Sequence, residues 1–147
     1  INGRRVLLEA IRNFGQSGSI LLLGLSIGAA WIVTIAAPNA SYDNLKEADA
    51  DKHVRELLKA TSDPIAVLLL VAAGLAILGG GLISGLAALI AAFGFFSNRW
   101  TLAQAPKRSA DEGEKRVGKT RRILAVSLTL VFSLVALAAA VIAVFGR

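Results

Sequence analysis

Of the 147 residues, 55% are hydrophobic and only 18% are charged, against about a quarter charged in an ordinary soluble domain. Three stretches, residues 16–42, 64–98 and 123–146, carry no charged side chain at all. Runs that are apolar all round and at least membrane-length exclude a soluble globular domain, a disordered tail and a coiled coil. The net charge is +6, and the basic excess lies beside the apolar runs. Membrane topology and anionic lipid explain that placement better than nucleic acid does. Cysteine is absent, which removes disulfides, thiolate metal sites and a cysteine nucleophile.

Residues 1–16 place Leu7, Leu8, Ile11 and Phe14 on one helical face flanked by Arg4, Arg5 and Arg12, the pattern of an amphipathic helix at headgroup level. Gly15 and Gly18 are expected to break it. Residues 19–37 form a first apolar segment of about 28 Å, just enough to cross the hydrocarbon, and Pro38 is expected to end it. It reads as a retained membrane segment rather than a signal peptide. The sequon at Asn39 lies too close to that segment for easy enzyme access.

Residues 39–63 read as a polar loop with an amphipathic helix from about Asp43 to Ala60, since Val54, Leu57, Leu58 and Thr61 fall on one face. Asp63-Pro64 resembles a helix start, with Asp as cap and Pro at the first position.

The long apolar run decides the topology. Gly79-Gly80-Gly81 divides it into arms 64–78 and 82–97, and three glycines suit a reversal better than a helix interior. A hairpin also sets Phe93, Phe95, Phe96 and Trp100 at an interface. Against it, a row of small residues at every fourth position, Ala72, Ala76, Gly80, Ser84, Ala88 and Ala92, continues through the glycines as though one helix never stopped. Residues 98–122 form a basic loop, and 123–145 a final apolar segment of about 35 Å.

Lys plus Arg number three before the first apolar run, four in 39–63, eight in 98–122 and one at Arg147. Either segment count places the 98–122 loop in the cytoplasm under the positive-inside rule. The expected fold is an all-α integral membrane protein, a small bundle of four membrane segments, or three if residues 64–97 form one long helix.

Three features invite chemistry. Gly113 to Thr120 fits the phosphate-loop pattern, yet KRSADE precedes it rather than a strand and a membrane segment follows, so it reads as a chance match and no nucleotide is expected. Asp49, His53 and Glu56 share one helix face at metal-ligand spacing, with Lys52 intruding. A solvated face is the default for them, Glu56 and Lys59 offer an i,i+3 pair, and no metal or other cofactor is expected. Inside the apolar segments there is no ionisable side chain, which argues against a proton-coupled pump or an intramembrane hydrolase.

Small residues at helix-packing spacing are abundant instead: Gly24 and Gly28, then Gly80, Gly81, Ser84, Gly85 and Ala88, with Ala125, Thr129 and Ser133 as a row in the last segment. Headgroup contacts are expected from Arg4, Arg5, Lys107, Arg108, Lys115, Arg116, Lys119, Arg121 and Arg122. The resulting expectation is a non-catalytic membrane subunit that assembles with itself or with other membrane proteins. Its partners would be those proteins and anionic lipid, without nucleic acid, and its composition fits a bacterial cytoplasmic membrane. The alternatives are a holin-like pore former, and a membrane enzyme or metal protein built on Asp49, His53 and Glu56.

Overall fold

The computed structural model describes residues 1–102 and 112–146, and within the last helix nothing is said of the side chains of residues 112, 114, 115, 117 and 118. The described residues form helices and short turns. Helix α1 (Asn2–Trp31) runs through a π-helical turn (Ile32–Ala36) into α2 (Ala37–Asn44). Helices α3 (Glu47–Leu78), α4 (Leu82–Thr101) and α5 (Glu112–Phe145) follow. Four helical rods are long and apolar enough to cross a membrane: α1 with α2, α3, α4 and α5.

Each rod buries one stripe. In α1 the buried residues are Gly15, Ser19, Leu23, Ser26 and Ala30, and in α3 they include Val54, Leu58, Ser62, Ile65, Leu69, Ala72 and Ala76. Steps of three and four keep such residues on one side of a 3.6-residue helix. The rods alternate in direction, with α1 packed on α3 and α5, and α4 packed on α3 and α5. The result is an up-down-up-down four-helix bundle. Its centre holds Leu23, Leu69, Ala72, Ala88, Ala92, Phe95 and Ala136. A smaller cluster of Val33, Val54, Leu58, Leu102 and Ala125 fills the end where α2 and α3 meet the start of α5.

Several expected boundaries are corrected. Gly15 and Gly18 do not break α1, because the helix is carried against α3 at that point. A Cβ on Gly15 would lie 2.7 Å from the Leu75 carbonyl oxygen, and one on Gly79 would lie 2.8 Å from the Gln16 nitrogen. The two backbones approach too closely for any side chain, and that packing outweighs a helical glycine's cost of about 1 kcal/mol. The 1–16 helix is therefore no separate element. Asn2 to Phe14 are all exposed and project from the bundle as a continuation of α1, roughly 20 Å long.

Pro38 does not end the first rod. The Ala37 N–H bonds to the Ile32 carbonyl in the wider π register just before it. That extra residue moves the carbonyl with which the proline ring would otherwise clash. Pro64 does not start a helix either. It lies inside α3 on the outward side, so the amphipathic helix and the following apolar arm are one rod of about 48 Å. The loop expected at 98–122 is shortened from both sides, since α4 continues to Thr101 and α5 begins at Glu112.

The glycine triplet does reverse the chain. The Gly81 N–H bonds to the Ala76 carbonyl at 2.8 Å and the Gly80 N–H to the Ile77 carbonyl at 2.9 Å, with Gly80 at φ +84°. This pair of bonds is the Schellman arrangement, which needs a left-handed residue at the Gly80 position. The small-residue row continued through the triplet because Ala72 and Ala76 on one arm, and Ser84, Ala88 and Ala92 on the other, are all buried in the same interior. Of the aromatic residues, Phe93 and Trp100 are exposed as expected, whereas Phe95 is in the core.

Gly80→Ala is expected to lower stability by about 1–2 kcal/mol, the cost of holding an L-residue in the left-handed region. Gly74→Ala, with open space in front of it, is expected to leave stability unchanged or raise it slightly. Reversible unfolding in mixed detergent micelles measures both.

Candidate functional site

The small-residue positions separate into two groups. Ser84 is buried and donates its hydroxyl to the Ala139 carbonyl on α5 at 2.8 Å. A Cβ on Gly85 would lie 3.2 Å from the Ala73 carbonyl oxygen, so α3 and α4 cross closely there. Ala88 is fully buried, and Gly80 and Gly81 form the turn. Gly94, which sequence reasoning did not single out, receives the ring of Phe132. All of these are used within the chain.

Gly24 and Gly28 differ. Both face outward from α1 with nothing within 4 Å of where a Cβ would stand. Leu21, Leu25 and Ile32 flank them and are also exposed. Together they make a shallow groove along the C-terminal half of α1 that no other described residue fills.

A line of polar side chains crosses the interior. Asn98 is 1% exposed, and its Nδ2 donates to Thr129 Oγ1 on α5 at 2.7 Å and to Ser62 Oγ on α3 at 3.3 Å. Those hydroxyls donate in turn to the Ala125 and Leu58 carbonyls of their own helices, which fixes them as acceptors toward Asn98. One amide thereby ties three helices, while its Oδ1 has no donor among the described residues. Trp31 Nε1 donates to Ser133 Oγ at 3.2 Å, and Gln16 Nε2 donates to the Ala143 carbonyl at 3.2 Å, linking α1 to α5 at two levels. The expected row of Ala125, Thr129 and Ser133 is buried. By polarity alone Asn98 reads as the start of a polar loop. Its spacing of three and seven from Phe95 and Ala91 was the signal that it continues the inward face.

The polar end carries a second cluster. Asp51 on α3 accepts from the Tyr42 hydroxyl on α2 and pairs with Arg122 on α5, and the Arg122 guanidinium lies 5.5 Å from the centre of the Tyr42 ring. A cation over an aromatic face is attracted by the ring quadrupole. Arg122, expected at lipid headgroups, is thus engaged inside the chain. Arg99 and Asp63 join α4 to α3 at 3.9 Å. Burial, and then repulsion from Arg121, push the Arg55 guanidinium below its ordinary value.

The metal candidates are not brought together. Asp49, His53 and Glu56 are exposed, and among the described residues no three histidine or acidic side chains converge. Glu56 pairs instead with Lys52 at 3.9 Å. Residues 113–120 are helical throughout, so the phosphate-loop pattern has no loop. Arg4 and Arg5 are exposed on the projecting arm, Arg116 and Lys119 are exposed on α5, and Arg121 is half-buried. Lys107 and Arg108 lie outside the described residues, as does the side chain of Lys115.

Among the described residues, the apolar interior holds amides and hydroxyls and no carboxylate, histidine or lysine. Such groups can fix helix register and do not move protons. Comparison with protein-family models, curated proteins and solved structures gives no match.

Asn98→Ala removes both interhelical bonds and is expected to lower stability by about 1 kcal/mol, the usual size of such bonds between apolar helices. A double-mutant cycle with Thr129→Val is expected to return a coupling of about half that or more. Additive losses in the unfolding experiment would mean that Asn98 acts by packing alone.

Proposed function

We propose that the chain is a four-span protein of a bacterial cytoplasmic membrane and a non-catalytic subunit of a larger membrane assembly, joined to a second copy or another membrane protein through α1. The observation that carries this reading is the groove at Gly24 and Gly28. Apolar helices in lipid gain little by leaving acyl chains, so association depends on close backbone approach at small residues. Ser84, Gly85, Ala88 and Gly94 are covered by neighbours from the same chain, and Gly74 on α3 is open but stands alone, whereas Gly24 and Gly28 form a pair four residues apart that faces open space among the described residues near the middle of an apolar rod. The positive-inside rule puts the 39–63 and 98–122 segments, with their twelve basic residues, on the cytoplasmic side.

The pore-forming reading has less behind it. The bundle axis is occupied by Leu23, Leu69, Ala72, Ala88 and Phe95, and the polar residues within it are bonded to backbone carbonyls or to one another. The enzyme reading rests on His53 and its neighbours, which face outward on a solvated helix.

Membrane placement is tested first. The protein is expected to stay in the pellet when vesicles are washed in alkaline carbonate, and its release would end this reading. Association is tested by placing a single cysteine at Gly28 in this cysteine-free chain and crosslinking in native membranes. A discrete higher band is expected with Gly28→Cys and none with Val67→Cys on the exposed side of α3. Gly24→Ile is expected to weaken association by about tenfold, roughly 1.4 kcal/mol, with the monomer fold retained.

A further inference from the structure

Where the projecting arm of α1 meets the bundle, a cavity of 670 Å³ opens between α1, the glycine turn, the first residues of α4 and the end of α5. We propose that this cavity seats the anionic headgroup of a phospholipid, with Arg12 as its counter-ion. The assignment rests on the membrane placement proposed above and names a specific lipid site in addition to the assembly face.

The volume lies within the range of small-molecule sites, about 300–1,000 Å³, and exceeds what a bare phosphate needs. Its charge is one-sided. Among the described residues lining it, Arg12 is the one that is charged. Glu9, three residues earlier on α1, makes no ion pair with it among the described residues. A guanidinium presents a planar fork of donors that matches a phosphodiester.

The remaining polar groups narrow the assignment further. Ser19, Gln16 and Ser84 already donate to the carbonyls of Gln16, Ala143 and Ala139. Arg12 and the neighbouring Asn13 amide remain as donors toward a ligand. The first turn of α4 lies in the same wall, ahead of that helix's first bond from the Gly85 N–H to the Gly81 carbonyl. This positive helix end adds to the field of Arg12.

The other walls favour a lipid over free phosphate. Leu82, Ile83 and Ile142 line the cavity, and each is also exposed to the surroundings. An acyl chain leaving the site can follow them. Arg12 immediately precedes the charge-free stretch 13–42, so its guanidinium sits at the depth where headgroups begin.

The experiment uses the full chain, purified in neutral detergent and examined by native mass spectrometry with an equal mixture of phosphatidylglycerol and phosphatidylcholine. The wild type is expected to retain phosphatidylglycerol preferentially. Arg12→Gln is expected to reduce that retention by about tenfold, the weight of a charge-assisted hydrogen bond. Arg12→Lys is expected to keep part of it, and Arg5→Gln, on the arm outside the cavity, all of it. Both residues are exposed, and far-UV circular dichroism checks that the variants stay folded. Equal retention of the two lipids would overturn the proposal. So would an equal effect of Arg5→Gln, which would mean diffuse attraction, or displacement of the lipid by millimolar inorganic phosphate, which would mean a phosphate site. Carbonate extraction separates the two levels: a chain that stays in the membrane without lipid preference fails only here, whereas a released chain fails at both.

Discussion

The fold depends on how closely helix backbones can approach one another. Between apolar rods of similar hydrophobicity, burial alone gives little reason for one pairing over another, and in a bilayer it gives almost none. Contact geometry has to supply that choice. At α1–α3 it is Gly15 against Leu75 and Gly79; at α3–α4 it is Gly85 against Ala73 and Ile77; at α4–α5 it is Gly94 beneath Phe132. Each of these three junctions has a residue without a side chain, and the Asn98 amide bonds across two of them, α3–α4 and α4–α5. Dispersion and hydrogen bonding, both short-ranged, act together only at such separations.

The two ends of the bundle are held differently. At the glycine end, backbone meets backbone, and the arm of α1 departs without lateral support. At the polar end, Asp51 gathers Tyr42 and Arg122 from two other helices over the apolar base of Val33, Val54, Leu58 and Leu102. A charge pair of this kind stabilises little when solvated and more when sheltered. Arg122 has a side chain 13% exposed, which places this pair nearer the sheltered case. Three of the rods are thereby fixed relative to one another outside the apolar zone as well as within it.

Much of this could be read from the chain itself. Charge-free stretches mark where the rods must be apolar all round, and the glycine triplet marks the reversal. The positions that sequence reasoning misplaced share one cause: a local signal whose effect depends on a distant neighbour. Gly15, Pro38 and Pro64 are helix breakers by their own propensities, yet each lies in a continuous rod because α3 meets Gly15, a π register receives Pro38, and the Pro64 ring points outward. The four-residue row through Gly80 supported both one helix and two, since the arms of a hairpin need the same small inward residues. Asn98 reads as a loop residue by its polarity, although its spacing from Ala91 and Phe95 belongs to the inward face. Which glycines would remain uncovered was beyond local pattern. Gly24-x3-Gly28 and Gly81-x3-Gly85 are alike as sequence, and only the packing of the other helices tells them apart.

The π-helical turn at Ile32–Ala36 has an effect beyond accommodating Pro38. One additional residue in a helix rotates everything downstream by about 100° about the rod's axis. Ser26 and Ala30 belong to the inward stripe before the turn, Val33 and Thr34 carry it within the turn, and Ser41 resumes it afterward. Without that change of phase, Tyr42 would be presented to a different quadrant, away from Asp51 and Arg122. A single wide turn therefore acts as an angular spacer, and it sets which residues of the first rod the polar end can recruit.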